Sequence, residues 1–188
     1  MAQLLKGKVA LVTAGSAGLG KAIVRTLAAV EMRVVINFTS NTERANQLKL
    51  DLERDFTNTG NGESSALLVP QFAVIQADIS VRSDIAHLVE RAMNAMGSLD
   101  VVISNGGWTA FTDFENLDEA MVEEDWDRCF NVNVKSHLFL MHAVKPYLEA
   151  TEGVFISTAS LAGVVPSGSS LVGIELLFFK CSHELAFS

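Results

Sequence analysis

The hydrophobic positions of the chain fall into short runs separated by longer amphipathic stretches. Each run is rich in Val, Ile, Leu or Ala and is flanked by Gly, Asn, Asp or Ser, which is typical of a strand buried in a sheet. These runs are residues 8–14, 33–38, 72–80, 99–107 and 153–160. The continuous apolar centre of 99–107 favours a strand that is buried on both faces.

The stretches between these runs carry apolar residues at helical spacing, as Ile23, Leu27 and Val30 do in the first of them. The spacing predicts helices at residues 20–31, 42–56 and 82–97, and an interrupted helical region at about 117–148. Parallel strands need crossover connections of this length, and such crossovers are right-handed. The pattern therefore predicts an α/β fold, a doubly wound parallel sheet with helices on both faces.

Composition and charge narrow the classes of partner. The 188 residues are 49% hydrophobic, which suits one buried core, and 14 Lys and Arg against 22 Asp and Glu give a net charge of -8. This charge disfavours nucleic acid and anionic membranes, and no apolar run approaches the roughly 20 residues that span a bilayer. Cys129 and Cys181 lack metal-ligand spacing, so we expect no metal site and the reduced thiols of a cytoplasmic protein.

A glycine-rich turn, TAGSAGLG at residues 13–20, joins the first predicted strand to the first predicted helix. Glycines at such a turn let the backbone approach a pyrophosphate, and the helix N-terminus offers free N–H groups to its charge. Glycine-rich turns also occur here for packing reasons alone. The position of the turn in the first strand-helix unit favours dinucleotide binding.

This turn resembles the TGxxxGxG fingerprint of the short-chain dehydrogenase/reductase family. Thr13, Gly18 and Gly20 are in place, Ala14 stands where the family has its first glycine, and Gly15 partly compensates. Further matches follow in the family's order along about residues 6–172. They are Asp78 and Ile79 after the third strand, SNGG at 104–107 in place of NNAG, and Asn133 in FNVNVKSHLF. The resemblance implies that Asp78 and Ile79 border the adenine and that residues 105–107 shape the wall beside the cofactor.

The resemblance implies a Rossmann-like fold and a site for NADP or NAD around the ends of the first four strands. The cofactor-binding residues that it implies are Thr13, Gly15, Ser16, Gly18, Leu19, Gly20, Asn37, Thr39, Ser40, Asp78, Ile79, Asn105 and Gly106. Structural alternatives stay open for single residues. Asp78 could cap the helix near Ser83, Asn105 could satisfy a turn, and Asn133 could be a buried helix asparagine bonded to backbone.

The end of the second strand bears on the choice of cofactor. An acidic residue there binds the adenine ribose of NAD and repels an additional phosphate. This strand ends INFTSNTERA, with no carboxylate before Glu43, so we expect NADP rather than NAD. Arg44 could serve the phosphate or be solvated, and Ser40 or Asn41 could simply cap the next helix.

The resemblance implies that catalysis depends on a tetrad of Asn, Ser, Tyr and Lys. Asn133 and Ser160 match the first two members, but Gly173 and Leu177 occupy the expected places of Tyr and Lys. A phenol, whose ordinary pKa is about 10, needs the neighbouring ammonium to exchange protons near neutral pH. Tyr147 precedes the predicted strand that ends at Ser160, and we interpret it as a structural residue. The family's activity is NADP-linked carbonyl reduction or alcohol oxidation, and we expect this chain to lack it.

The tail after residue 172 matches nothing expected in the next helix. We therefore divide the chain into an incomplete dinucleotide-binding domain, 1–172, and a divergent tail, 173–188, without the family's last strands. So abrupt a loss of resemblance is typical of a changed reading frame, a retained intron or a truncated splice form. The fifth strand should then be an open sheet edge, unless the run 171–179 folds back as a short helix or strand, and stability should be marginal.

Two functions stay open, and the sequence favours the second. The first is an active oxidoreductase that acts on a small-molecule carbonyl or alcohol, as family members do, in some cases as homo-oligomers. The second is a non-catalytic remnant that binds the dinucleotide or pairs with a full-length subunit. A third reading, a gene-model error, carries no function.

Overall fold

The computed structural model describes residues 2–58, 71–113, 116–160 and 185–186. Within these ranges six strands form one sheet. The strands are β1 Val9–Val12, β2 Arg33–Phe38, β3 Phe72–Gln76, β4 Val101–Ser104, β5 Val154–Ser157 and β6 Leu185–Ala186.

Helices connect β1 to β5 in turn, and one short helix precedes β1. The helices are α1 Ala2–Leu5, α2 Gly18–Ala29, α3 Thr42–Asn58, α4 Arg82–Met96, α5 Glu123–Phe130 and α6 Ser136–Thr151. A 3₁₀ turn at Leu117–Ala120 precedes α5, and a π-helical turn at Asn131–Lys135 joins α5 to α6. No helix in the described ranges is long and apolar enough to cross a bilayer.

The strand order is β3-β2-β1-β4-β5-β6, with β1 to β5 parallel. This confirms the predicted α/β fold with a doubly wound parallel sheet. From β1 the chain runs outward to β2 and β3, and it then returns to place β4 on the other side of β1. Ligands of such sheets bind beyond the carboxyl ends of the strands at this reversal, so the loops after β1 and β4 should carry the site.

The sheet is covered on both faces, as the continuous apolar strands predict. Alternate residues of β1 enter different clusters. Val9 and Leu11 pack with the residues of α4 and α6, whereas Ala10 and Val12 pack with those of α2 and α3. All four are fully buried, and the strand ends are thereby held in fixed positions.

Several sequence expectations about the strands were wrong. β1 ends at Val12 rather than at residue 14, β3 at Gln76 rather than at 80, β4 at Ser104 rather than at 107 and β5 at Ser157 rather than at 160. The polar residues after β3 and β4 form a turn and a loop contact instead, since the N–H of Ser80 bonds to Asp78 and the N–H of Asn105 bonds to Thr13. The edge of β5 is not open over its first two residues. Val154 and Phe155 pair antiparallel with β6, so the sheet is not wholly parallel.

Candidate functional site

The loops after β1 and β4 are joined by one buried hydroxyl. Thr13 Oγ1 accepts hydrogen bonds from the backbone N–H groups of Asn105 (2.9 Å) and Gly106 (3.1 Å), and it donates weakly to the carbonyl of Ile103 (3.5 Å). Thr13 is fully buried. It therefore joins the two loops on their buried side, and their outer backbone groups stay available to a ligand.

The glycine-rich turn is tightly packed at its last glycine. A Cβ on Gly20 would lie 2.2 Å from the carbonyl oxygen of Ala14 and 2.9 Å from Nδ2 of Asn105. Both Ala14 and Gly18 have a φ of +50°, the left-handed region that glycine enters freely and alanine only at a cost. The steric clash thus explains the glycine at position 20. The positive φ makes alanine strained at position 14, where the family has a glycine.

The N-terminus of α2 points its amides out of this turn. α2 begins at Gly18, and the preceding Ala17 makes no side-chain capping bond. The first-turn N–H groups of a helix have no intrahelical partners and carry the positive end of the helix dipole. Ser16 is buried, whereas Leu19 is 59% exposed beside these amides. This arrangement suits a phosphate group.

The residues at the end of β2 divide between buried and exposed positions. Asn37 is buried behind the turn, while Thr39 and Ser40 are exposed and uncharged. Asn41 Oδ1 accepts the backbone N–H of Arg44 at 2.8 Å, which confirms the capping role proposed for Asn41.

The loop after β3 is shaped by Asp78. Its Oδ1 accepts both the N–H (2.8 Å) and the hydroxyl (2.7 Å) of Ser80, which closes a tight turn. α4 begins at Arg82, and its N-cap residue Val81 makes no side-chain bond. The alternative in which Asp78 caps the next helix is therefore wrong.

Ile79 and Gly106 are in close contact across the site. Ile79 is buried, and a Cβ built on Gly106 would lie 2.1 Å from its Cδ1. Only glycine fits at position 106 while Ile79 keeps this rotamer. The predicted adenine-side residue and the predicted cofactor wall thus form one packed surface.

The first predicted catalytic residue is engaged with the loop after β4. Asn133 Oδ1 accepts the N–H of Trp108 (2.8 Å), and its Nδ2 donates to the carbonyl of Trp108 (2.7 Å) and lies 2.9 Å from Sγ of Cys129. This agrees with the alternative of a buried helix asparagine bonded to backbone. The backbone groups belong to the loop after β4 and not to the helix that carries Asn133. Asn133 lies within the π-helical turn.

The chain leaves β5 beside the loop after β4. Thr158 donates its N–H to the carbonyl of Ser104 (3.0 Å) and its hydroxyl to Oδ1 of Asn105 (3.5 Å). Asn105 Nδ2 in turn donates to the carbonyl of Thr13 (3.2 Å). Ser160, the second predicted catalytic residue, is exposed three positions after β5. Gly173 and Leu177 lie outside the described residues.

Several contacts around the site were not predicted. The guanidinium of Arg128 lies 4.7 Å from the ring centroid of Trp108, and Ser157 Oγ lies 3.0 Å from Nδ1 of His137. These pairs are far apart in sequence, so local patterns carry no signal for them. The contact of Asn133 with Cys129 differs, because a four-residue spacing on one helical stretch places the two side chains next to each other.

Comparison with known proteins gives the family. The family model described as short chain dehydrogenase matches residues 8–172. The chain is 31% identical over 164 residues to the hydroxynaphthalene reductase-like protein Arp2 of Metarhizium brunneum, covering 87% of this chain and 54% of that protein. It is 28% identical over 159 residues to the tetrahydroxynaphthalene reductase of Pyricularia oryzae, covering 85% and 50%. The chain thus spans about half the length of these relatives.

Solved structures share the fold. A short chain dehydrogenase from Burkholderia cenocepacia in complex with NADP superposes with a TM-score of 0.75 at 29% identity, over 93% of this chain and 64% of that one. A blue fluorescent protein from a metagenomic library, in complex with NADPH, superposes with a TM-score of 0.76 at 25% identity, over 94% and 65%. With the matched range and the site geometry together, the chain belongs to the short-chain dehydrogenase family.

Proposed function

We propose that this chain binds NADP along the loops after β1, β2, β3 and β4, and that it does not catalyse hydride transfer. The turn at residues 13–20 is the observation that supports the binding of NADP. The N-terminus of α2 has no side-chain cap there, and a side chain at Gly20 would clash with the carbonyl oxygen of Ala14. Backbone amides there would hold the pyrophosphate. The packed surface of Ile79 and Gly106 would lie along the cofactor.

The preference for NADP over NAD rests on the end of β2. Thr39 and Ser40 are exposed and uncharged, so no carboxylate at these positions repels a phosphate on the adenine ribose. Solved relatives at 25% and 29% identity carry NADPH and NADP. Both facts support the preference.

The absence of turnover rests on the sequence after Ser160. When bound, the nicotinamide supplies or accepts a hydride, and a proton must move to or from the substrate oxygen in the same reaction. Asn133 and Ser160 are present, but positions 173 and 177 hold Gly and Leu. Without a phenol and an ammonium at these two positions, the family's route for this proton near neutral pH is missing. Its relatives are named as reductases, so carbonyl reduction or alcohol oxidation of a small molecule is the reaction that it would have lost.

A second candidate is an active oxidoreductase in which another residue supplies the proton. Ser160 and the loops that would hold the cofactor favour it, since both are retained. A cytoplasmic protein that pairs with a full-length subunit is compatible with either candidate.

Titration with NADPH and NADH, followed by fluorescence, tests the proposal on the purified 188-residue protein. We expect tighter binding of NADPH and no oxidation of it across a panel of ketones, quinones and naphthols. Gly20→Ala serves as the matched loss-of-binding control. Turnover by the unmodified chain would overturn the inactivity. Absence of binding to either dinucleotide would overturn the whole proposal, and a variant carrying Gly173→Tyr and Leu177→Lys shows whether these two positions suffice to restore activity.

A further inference from the structure

Asn37 connects two loops of the site although its own side chain is 1% exposed. Its Oδ1 accepts the N–H of Ala14 at 3.1 Å, and its backbone carbonyl accepts the N–H of Gly15 at 2.8 Å. On the opposite side, its Nδ2 donates to the carbonyls of Ala77 (3.1 Å) and Ile75 (3.3 Å). One residue therefore bonds to the turn after β1 and to the end of β3.

The position of Asn37 explains this reach. The last paired residues of β1 and β2 are Val12 and Ile36, so Asn37 lies where β1 has already turned away. On its other side it still pairs with Ile75 of β3. The side chain thus fills the space that opens between the turn and β3.

Asparagine suits this place for a chemical reason. The site presents one N–H donor, on Ala14, and the carbonyl acceptors of Ile75, Ala77 and, at 3.4 Å, Phe38. An asparagine side chain offers one acceptor oxygen and two N–H donors in a fixed planar group. Aspartate would turn acceptor lone pairs toward the carbonyls, and leucine would remove the acceptor of the Ala14 N–H, which is costly in a buried place.

The two loops that Asn37 joins are the ones that would hold opposite parts of the dinucleotide. Ala14 and Gly15 begin the turn proposed for the pyrophosphate. Ala77 directly precedes Asp78 and Ile79, which are proposed to border the adenine. We infer that Asn37 is a positioning residue that sets the spacing of these two loops without contacting the cofactor. This inference rests on the proposed dinucleotide binding.

The binding experiment compares Asn37→Leu with Val35→Ala, a cavity-forming change in the same strand at a fully buried residue. Leucine adds no charge beside the phosphate. The probes are NADPH, which would span both loops, and adenosine 2′-monophosphate, which would occupy the adenine side alone. We expect Asn37→Leu to weaken NADPH binding by about tenfold or more, the equivalent of one buried hydrogen bond, and the monophosphate by less than about threefold. Val35→Ala should change neither by more than about threefold.

Two results of this experiment would overturn the inference. Equal losses for NADPH in the two variants would mean that general destabilisation is responsible. Equal losses of NADPH and of adenosine 2′-monophosphate in Asn37→Leu would mean that the residue acts on the adenine side only.

A ligand-free measurement separates this inference from the proposed function. In amide hydrogen exchange of the unmodified protein, we expect both Ala14 and Gly15 to be protected. In Asn37→Leu the amide of Ala14 should lose about tenfold or more of its protection, whereas Gly15, bonded to the main-chain carbonyl, should keep it. An unprotected Ala14 in the unmodified protein overturns the inference even if NADPH binds, and it needs no variant to fold. Protection of Ala14 without any NADPH binding would leave the loop geometry intact and overturn the proposed function alone.

Discussion

The carboxamide of Asn133 and the backbone of Trp108 form a reciprocal pair. The amide oxygen accepts the Trp108 N–H at 2.8 Å, and the amide nitrogen donates to the Trp108 carbonyl at 2.7 Å. This is the pattern that a neighbouring strand would provide, supplied here by one side chain. It places the first matched tetrad residue in a structural role that is independent of turnover.

Replacing Asn133 by alanine should therefore lower the free energy of unfolding by about 2–3 kcal/mol, because two backbone groups of Trp108 lose their partner in a largely buried setting. Denaturant unfolding measures this. Asn131→Ala is the control in the same π-helical turn. Its Oδ1 accepts only from the exposed Nζ of Lys135, so its loss should cost less than about 0.5 kcal/mol. Equal costs for the two variants would contradict a special role for Asn133.

Ala14→Gly should stabilise the protein. Ala14 has a φ of +50°, which costs an alanine about 1 kcal/mol relative to glycine, and the substitution removes that cost. We expect the free energy of unfolding to rise by about 0.5–1 kcal/mol. Ala17→Gly, at a φ of -149°, should give no gain. A decrease in both variants would show that Ala14 is not strained.

The contact between Ile79 and Gly106 predicts a compensating pair. Gly106→Ala would place its Cβ 2.1 Å from Cδ1 of Ile79, and we expect it to destabilise the fold by about 1–3 kcal/mol. Ile79→Val removes that same Cδ1 atom, so the double variant should recover about half of the loss or more. Gly107→Ala, whose nearest neighbour would be Oδ1 of Asn133 at 3.5 Å, is the control. Strictly additive effects in a double-mutant cycle would rule out the contact.

Charge at the end of β2 predicts a shift in cofactor preference. Ser40→Asp adds a carboxylate at an exposed position where the phosphate of NADP is proposed to lie. The ratio of the NADPH to the NADH affinity should fall by about tenfold, an electrostatic difference of about 1.4 kcal/mol. Asn94→Asp adds the same charge at an exposed position of α4 and should leave the ratio unchanged. Equal responses of the two variants would count against the proposed phosphate position.

The fold could be predicted because its signals are local. The apolar run at 33–38 coincides with β2, and the helical spacing at 82–97 ends one residue beyond α4. Strand ends were less accurate. Residues such as Ile79 are apolar and extend the pattern, yet they belong to loops whose shape depends on partners in other elements.

The sequence predicted which residues belong to the candidate site but not what they bond to. Thr13, Asn37 and Asn133 were all predicted as site residues, and each lies at the carboxyl edge of the sheet or in the loop contacts above it. Their side chains, however, bond to backbone groups of distant segments. A sequence pattern records which residue type is needed at such a place, but the partner that requires it is known only from the tertiary structure.

The π-helical turn at Asn131–Lys135 takes up one residue more than an α-helical turn would. Deleting one residue inside this turn would restore α-helical bonding with little rotation of α6, whereas a deletion at the start of α6 would rotate the residues after it by about 100°. In the second case Leu140, Val144 and Leu148, now in the core, would leave it together. Among relatives that keep both helices, a difference of one residue should therefore occur in this turn more readily than within α6.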